Sequence, residues 1–89
     1  MTPSPTTSIE VRYFAAAAEA AGRPQERLEV EAGTTLARLR EQLAGRDLAM
    51  AKVVGVCTFL VNSLSTSADS LTPLEDGDRV DVLPPFAGG

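Results

Sequence analysis

The chain has 89 residues, with no histidine, a single cysteine at Cys57 and a single lysine at Lys52. Without histidine, the usual general base of Ser-His and Cys-His catalysis is missing, and so is the commonest zinc ligand. The glycines form neither a GxxxxGK[ST] nor a GxGxxG pattern, so the sequence carries no recognisable nucleotide-binding loop. These absences predict a protein with no catalytic site of its own that binds neither a metal nor another cofactor.

Charge and hydropathy exclude two further classes of protein. The net charge is −4 and no cluster of lysine and arginine is present, which argues against binding to nucleic acid phosphates. No apolar run approaches the 18 or so residues that a membrane span needs. One cysteine forms no internal disulfide, so we expect a cytoplasmic protein without membrane contact. The mildly acidic surface suits either solubility alone or a basic protein partner.

Length and composition predict one small domain with two extensions. Residues 1–8 are rich in Pro, Ser and Thr and lack the apolar core of a signal peptide, which predicts a flexible leader. Residues 9–83 contain the periodic apolar segments and form the predicted domain. Residues 84–89 form the predicted extended tail.

The periodic segments predict an α+β fold. The chain begins with a strand at Ile9–Phe14, a short alanine-rich helix at Ala15–Ala21 and a second strand at Gln25–Val30. The main helix follows; it is capped by Thr34 or Thr35 and ends at Gly45. The order is completed by a second short helix within 46–56, a strand at Cys57–Asn62, a loop with a short extended piece near Leu64, and a last strand over 79–83. An antiparallel first pair, a crossing helix and a last strand parallel to the first predict a β-grasp (ubiquitin-like) mixed sheet of four to five strands on one main helix.

Three groups of side chains allow two interpretations each. Cys57 is a candidate nucleophile, but a cysteine at the start of an apolar strand is more often a small buried hydrophobe. The acidic group Glu75, Asp76, Asp78 and Asp81 lacks calcium-loop spacing and reads as a solvated turn rather than a metal site. The apolar run at 59–61 places side chains on both faces of a strand, so one face is either an exposed patch for a partner or is covered by the neighbouring loop.

The most informative segment is "PPFAGG" at 84–89. Pro84 and Pro85 donate no backbone hydrogen bonds and favour an extended course, so they end the sheet and direct the chain away from it. The segment spans roughly 20 Å at full extension and has no charged side chain. Gly88 and Gly89 lack a Cβ and fit a narrow channel, and the only charge in the segment is the sterically unhindered α-carboxylate of Gly89. A floppy end is the alternative interpretation of Gly-Gly taken alone.

From "VRYFAAAAEAAG" through "LEDGDRVDVLPPFAGG", the chain resembles the ubiquitin-like sulfur-carrier proteins, and among them the small subunits of molybdopterin synthase. The resemblance implies that an E1-like enzyme adenylates the Gly89 carboxylate with ATP and that a sulfur donor then converts it to a thiocarboxylate. It also implies a heterotetramer with the large synthase subunit, in which the sulfur passes to cyclic pyranopterin monophosphate during molybdenum cofactor biosynthesis.

The resemblance assigns roles to individual residues. Gly89 is the sulfur acceptor and donor, Gly88 threads the partner's channel, and tail guiding falls to Pro84, Pro85, Phe86 and Ala87. Phe59 on the sheet and Phe86 in the tail are the candidates for partner contact. The loop at 62–73 is longer than is common in the family. The alternatives are a sulfur carrier for thiamine thiazole or cysteine synthesis, and a ubiquitin-like protein modifier or interaction domain.

Overall fold

A five-stranded mixed sheet with three helices on one face makes up residues 5–85, the part of the chain that this computed structural model describes. The elements in chain order are β1 (Thr6–Tyr13), α1 (Ala16–Ala21), β2 (Gln25–Glu31), α2 (Leu36–Ala44), α3 (Leu48–Val54), β3 (Thr58–Val61), β4 (Leu64–Thr66) and β5 (Arg79–Leu83). The order and type of these elements agree with the sequence prediction, which confirms the α+β class.

The strand order β2-β1-β5-β3-β4 places β5 at the centre of the sheet. β1 is antiparallel to β2 and parallel to β5, as the sequence predicts. β3 is antiparallel to both β5 and β4. Since β5 is the last strand, the chain leaves the sheet from its middle, between β1 and β3.

The core lies between the helices and the face of the sheet that carries the odd-numbered residues of β1 and the even-numbered residues of β5. Val11, Val80 and Val82 are completely buried there. The α2 stripe of Leu36, Leu39 and Leu43 covers them from the helix side. Thr35 caps α2 because its hydroxyl accepts a hydrogen bond from the Arg38 N–H at 3.2 Å.

The ambiguous segment at 46–56 contains a short helix, which confirms the favoured interpretation. Asp47 caps α3, and its carboxylate accepts a hydrogen bond from the Met50 N–H at 2.8 Å. Met50 and Val54, four residues apart on one face, are both buried in the core. The β-branched valines are therefore accommodated by tertiary packing despite their weak helix propensity.

The predicted boundary of the flexible leader is wrong. β1 begins at Thr6, and Thr7 is buried opposite Val30, so residues 6–8 belong to the sheet. Their polar composition resembles a leader, but β2 is long enough to pair with them and thereby satisfy their backbone groups. Residues 1–4 lie outside the described part. Within residues 5–85, no helix combines the length and the apolar character needed to cross a bilayer.

Candidate functional site

The candidate site begins where β5 ends. Leu83 is the last strand residue, and its Cα partner on the neighbouring strand is Thr58. Pro84 is buried and Pro85 is exposed, so the chain emerges from the sheet between these two residues. Neither proline has an N–H for the ladder, which explains why the strand stops here. The other predicted tail residues, at 86–89, lie outside the described part.

Phe59, a predicted partner-contact residue, is not on the surface. Its side chain is only 1% exposed and is part of the core. Phe59 is the Cα partner of Val82, and both point towards the helices. The prediction for Phe59 is therefore wrong, because the strand register places this residue, rather than its neighbour, on the inner face.

Leu60 is the residue of that apolar run that lies on the outer face of the sheet, opposite the helices. It is the Cα partner of Asp81 and is half-buried. Leu83, two residues further along β5, shares this face and is also half-buried. The outer face thus carries apolar side chains next to the point where the tail departs.

Phe14 extends this apolar surface, and the sequence interpretation missed it. Its ring is 38% exposed and lies 5.5 Å from the guanidinium carbon of Arg12, which is itself on the outer face. The neighbouring Tyr13 is buried in the core. The signal in the sequence was the aromatic pair at 13–14: adjacent strand residues point to opposite faces, so one of the two has to face outwards.

The backbone is strained at Ala15, the residue directly after Phe14. Ala15 has φ 48° and ψ −124°, a conformation that side chains with a Cβ rarely adopt. It turns the chain sharply from β1 into α1. The Phe14 N–H donates to the Val82 carbonyl at 3.2 Å, and this bond keeps Phe14 beside β5.

An ion pair crosses the outer face next to the apolar surface. Arg12 donates to both carboxylate oxygens of Asp81, from Nε at 2.8 Å and from Nη2 at 3.0 Å. Hydrogen bonding to Asp81 raises the pKa of Arg12. The Asp81 side chain is 5% exposed, whereas that of Arg12 is 35% exposed. Asp81 is thus a buried ion-pair residue, and the prediction that placed it in a solvated turn is wrong.

Two further carboxylates of the acidic group, those of Asp76 and Asp78, stabilise the turn that precedes β5. Asp76 accepts a hydrogen bond from the Ser8 N–H at 2.8 Å. Asp78 accepts from the Glu75 N–H and from the Asn62 amide, both at 2.8 Å. Across residues 5–85, no group of three or more His, Cys, Asp and Glu side chains is arranged to hold a metal ion.

Cys57 has the surroundings of a structural residue. It is half-buried, and its Sγ donates a hydrogen bond to the Val53 carbonyl at 3.0 Å. Burial raises the pKa of the thiol, which keeps it protonated and weakly nucleophilic at neutral pH. These contacts favour the interpretation of Cys57 as a small packed side chain.

One cleft of the molecule lies at the end of the sheet away from Pro84. The cleft, of about 580 Å³, is lined by the β3–β4 hairpin and by the loop that leads to β5, with Leu36 and Leu74 at its floor. Because Val61 pairs with Val80 and Thr58 pairs with Leu83, the hairpin lies at the opposite end of the sheet from Pro84. This cleft is therefore separate from the apolar side chains beside the tail exit.

Comparisons with known proteins connect this geometry to a family. A molybdopterin synthase sulfur carrier subunit from Chlamydomonas reinhardtii is 32% identical over 81 residues, which cover 91% of this chain and 98% of that protein. A putative molybdopterin converting factor subunit 1 from Pyrococcus furiosus has a TM-score of 0.77 at 27% identity, covering 90% of this chain and 99% of that one. A chain of the Helicobacter pylori complex of molybdopterin-converting factor subunits 1 and 2 has a TM-score of 0.65 at 33% identity, covering 93% and 100%.

These matches confirm both the β-grasp fold and the resemblance to sulfur-carrier proteins that the sequence suggested. The sequence model of the ThiS family covers residues 11–89, which include all strands and helices after the start of β1 as well as the Gly-Gly segment. The chain therefore belongs to the ThiS family.

Proposed function

We propose that this protein is the sulfur-carrier small subunit of a molybdopterin synthase and that it acts in molybdenum cofactor biosynthesis. The observation that carries the proposal is the place where the tail begins: the central strand β5 runs directly into Pro84 and Pro85, beside the apolar side chains of the outer face. The Chlamydomonas relative, named as such a subunit, matches over nearly its whole length and supports this assignment.

The reactive group in this proposal is the Gly89 carboxylate. A free carboxylate is a poor electrophile, so an E1-like partner first transfers AMP from ATP to it and releases pyrophosphate. Hydrosulfide supplied by a sulfur donor then displaces AMP and leaves a thiocarboxylate at Gly89. The partner supplies the ATP site, since the chain has no recognisable phosphate-binding loop.

The thiocarboxylate then serves the large synthase subunit. Gly88 and Gly89 enter the active site of that subunit, where the sulfur passes to cyclic pyranopterin monophosphate and the carboxylate is restored by hydrolysis. Two such sulfur transfers complete the dithiolene group of molybdopterin. The Helicobacter pylori structure is a complex of subunits 1 and 2, which supports a large-subunit partner, and we propose a heterotetramer of two small and two large subunits.

We also propose that this chain positions the tail for the large subunit. Phe14, Leu60 and Leu83 form an apolar surface next to the tail exit, and we propose that the large subunit docks on it. Pro84 and Pro85 restrict the first bonds of the tail, so docking of the face also aims the tail. Less conformational entropy is then lost when the tail enters the partner's channel.

The proposal is tested by reconstitution. The protein is incubated with its activating enzyme, ATP and a sulfur donor, and intact mass spectrometry measures the exchange of one oxygen for sulfur. Loaded protein is then mixed with the large subunit and the pterin precursor, and the dithiolene product is quantified. We expect loading and product for the native chain and for Leu71→Ala, a control in an exposed loop. Loading should be lost when Gly89 is deleted or when one residue is added after it.

The outcomes separate the candidate functions. Full loading of the extended variant would contradict a role for the Gly89 carboxylate. Loading without transfer to the large subunit, but with transfer to a thiazole-forming or cysteine-forming enzyme, would assign the protein to another sulfur pathway. Isopeptide conjugates to cellular proteins in place of a thiocarboxylate would identify a protein modifier.

A further inference from the structure

The outer face of the sheet changes in chemical character with distance from the tail. Phe14 and Leu83 lie at the tail end and are apolar. The next position inwards is occupied by the Arg12–Asp81 ion pair with Leu60 beside it. Arg12 and Asp81 precede Phe14 and Leu83 by two residues, which is about 7 Å along the strands, and the Arg12 guanidinium itself lies 5.5 Å from the centre of the Phe14 ring. A partner that covers the apolar surface therefore also covers the ion pair.

Arg12 is held in one orientation on this surface. Its Nε and Nη2 groups donate to Asp81, and its guanidinium lies 5.5 Å from the centre of the Phe14 ring. Nη1 is not used in either of these bonds, and the side chain is 35% exposed. A guanidinium that is already ordered loses little entropy when it pairs with a partner, which is why arginine is common at interface hot spots.

Asp81 is shared between two arginines. The Nε of Arg79 is 3.7 Å from the Asp81 carboxylate, which is too long for a hydrogen bond. That Nε is buried and has no acceptor among residues 5–85, while Nη2 of Arg79 donates to the Ser63 hydroxyl. One buried carboxylate thus faces two guanidinium groups, and one positive charge is left in excess.

This excess is local to Asp81. Glu10 is the Cα partner of Arg79 on one side and of Arg27 on the other. Glu29 and Glu31 of β2 lie on the same face, opposite Ser8 and Thr6, so the whole outer face contains three arginines, at 12, 27 and 79, and four carboxylates, at 10, 29, 31 and 81, and only the surroundings of Asp81 have more guanidinium groups than carboxylates. A complementary partner surface has to contribute negative charge at this position.

We propose that the large synthase subunit presents a carboxylate side chain to Arg12, directly beside the surface that covers Phe14 and Leu83. This inference rests on the proposed function. Docking on the apolar residues removes water from Nη1 of Arg12, and a desolvated N–H of a cation without an acceptor is costly. A carboxylate satisfies the fixed guanidinium geometry and also balances the excess charge, which a backbone carbonyl does not.

The test measures the dissociation constant of the full-length protein and the large subunit by titration calorimetry at two salt concentrations. We expect Arg12→Gln to weaken binding by at least about tenfold and to reduce its salt dependence. The matched control is Arg38→Gln, which removes the same charge from an exposed position on α2, away from the outer face, and should change affinity by less than about threefold.

A second variant distinguishes the loss of a binding contact from the loss of the fold. Arg12→Leu combined with Asp81→Leu replaces the ion pair by apolar side chains, an exchange that proteins often tolerate. This double variant should unfold as cooperatively as the native protein and should still bind weakly. Native-like affinity of both variants would overturn the role of Arg12 and leave the proposed function standing. If the native protein failed to bind the large subunit, both the role of Arg12 and the proposed function would be overturned. The same variants are also titrated with the activating enzyme, and a loss of affinity for that enzyme alone would overturn the large subunit as the occupant.

Discussion

The backbone N–H of Phe14 donates a 3.2 Å hydrogen bond to the carbonyl of Val82, two residues before the tail begins. This bond continues the parallel β1–β5 pairing one step past Tyr13. The hydrogen bond thus connects the residue that carries the exposed aromatic ring to the strand that leads into the tail. A partner that contacts the ring therefore lies next to the strand residues that precede Pro84.

Replacement of Phe14 by alanine should weaken binding to the large subunit. Phe14 is 38% exposed in the free protein. A partner that covers this exposed apolar area gains affinity through the hydrophobic effect. We expect a loss of about tenfold, or about 1.4 kcal/mol, measured by titration calorimetry. Leu71→Ala is the control, because Leu71 is 79% exposed and lies in the loop before β5. Equal affinities for the two variants would exclude Phe14 from the interface.

Replacement of Phe59 by alanine should act on stability instead. The side chain is 1% exposed and packs in the core, so its removal leaves a cavity. We expect the free energy of unfolding to fall by about 3–5 kcal/mol, as measured by urea denaturation. Leu60→Ala, on the half-buried outer side of the same strand, should cost clearly less. If Leu60→Ala were the more damaging change, the assignment of the two faces would be reversed.

The contrast between Phe59 and Leu60 illustrates what the sequence alone does not determine. The main helix was predictable because its leucine spacing, its Thr35 cap and its Gly45 stop are all local signals. The face on which a run of apolar strand residues lies depends on the register with β5, which comes from a distant part of the chain. The same holds for Arg12 and Asp81, which pair across 69 positions.

The start of β1 shows a second limit. Thr6 and Thr7 have no apolar alternation of their own, and they join the sheet because Glu31 and Val30 of β2 are available as partners. The roles predicted for Gly88 and Gly89 are of another kind, because they concern chemistry in the site of a partner protein. Those roles stay predictions.

Replacement of Ala15 by glycine should leave the protein equally stable or more stable. Ala15 has a positive φ of 48°, which costs of the order of 1–3 kcal/mol for a residue with a Cβ. Glycine removes this strain and adds about 0.5–1 kcal/mol of chain entropy to the unfolded state. We therefore expect a gain of up to about 2 kcal/mol in urea denaturation. Ala15→Val should destabilise, because β-branching restricts this region further. A clear loss of stability in Ala15→Gly would contradict the strain.

Glu26 should make the stability of the fold sensitive to acid. Its carboxylate accepts hydrogen bonds from the Tyr13 hydroxyl at 2.5 Å and from Nη1 of Arg46 at 2.6 Å. Burial acts to raise the pKa of Glu26, but the bonds from Arg46 and Tyr13 outweigh it, and the pKa lies below the ordinary value of 4.5. The stabilisation is therefore complete above pH 4.5 and is lost as the pH falls through the lowered pKa. Urea denaturation over this range should show a steeper loss of unfolding free energy in the native protein than in Glu26→Gln, whose side chain does not titrate. Parallel pH profiles would show that Glu26 gains no net stabilisation from Arg46 and Tyr13.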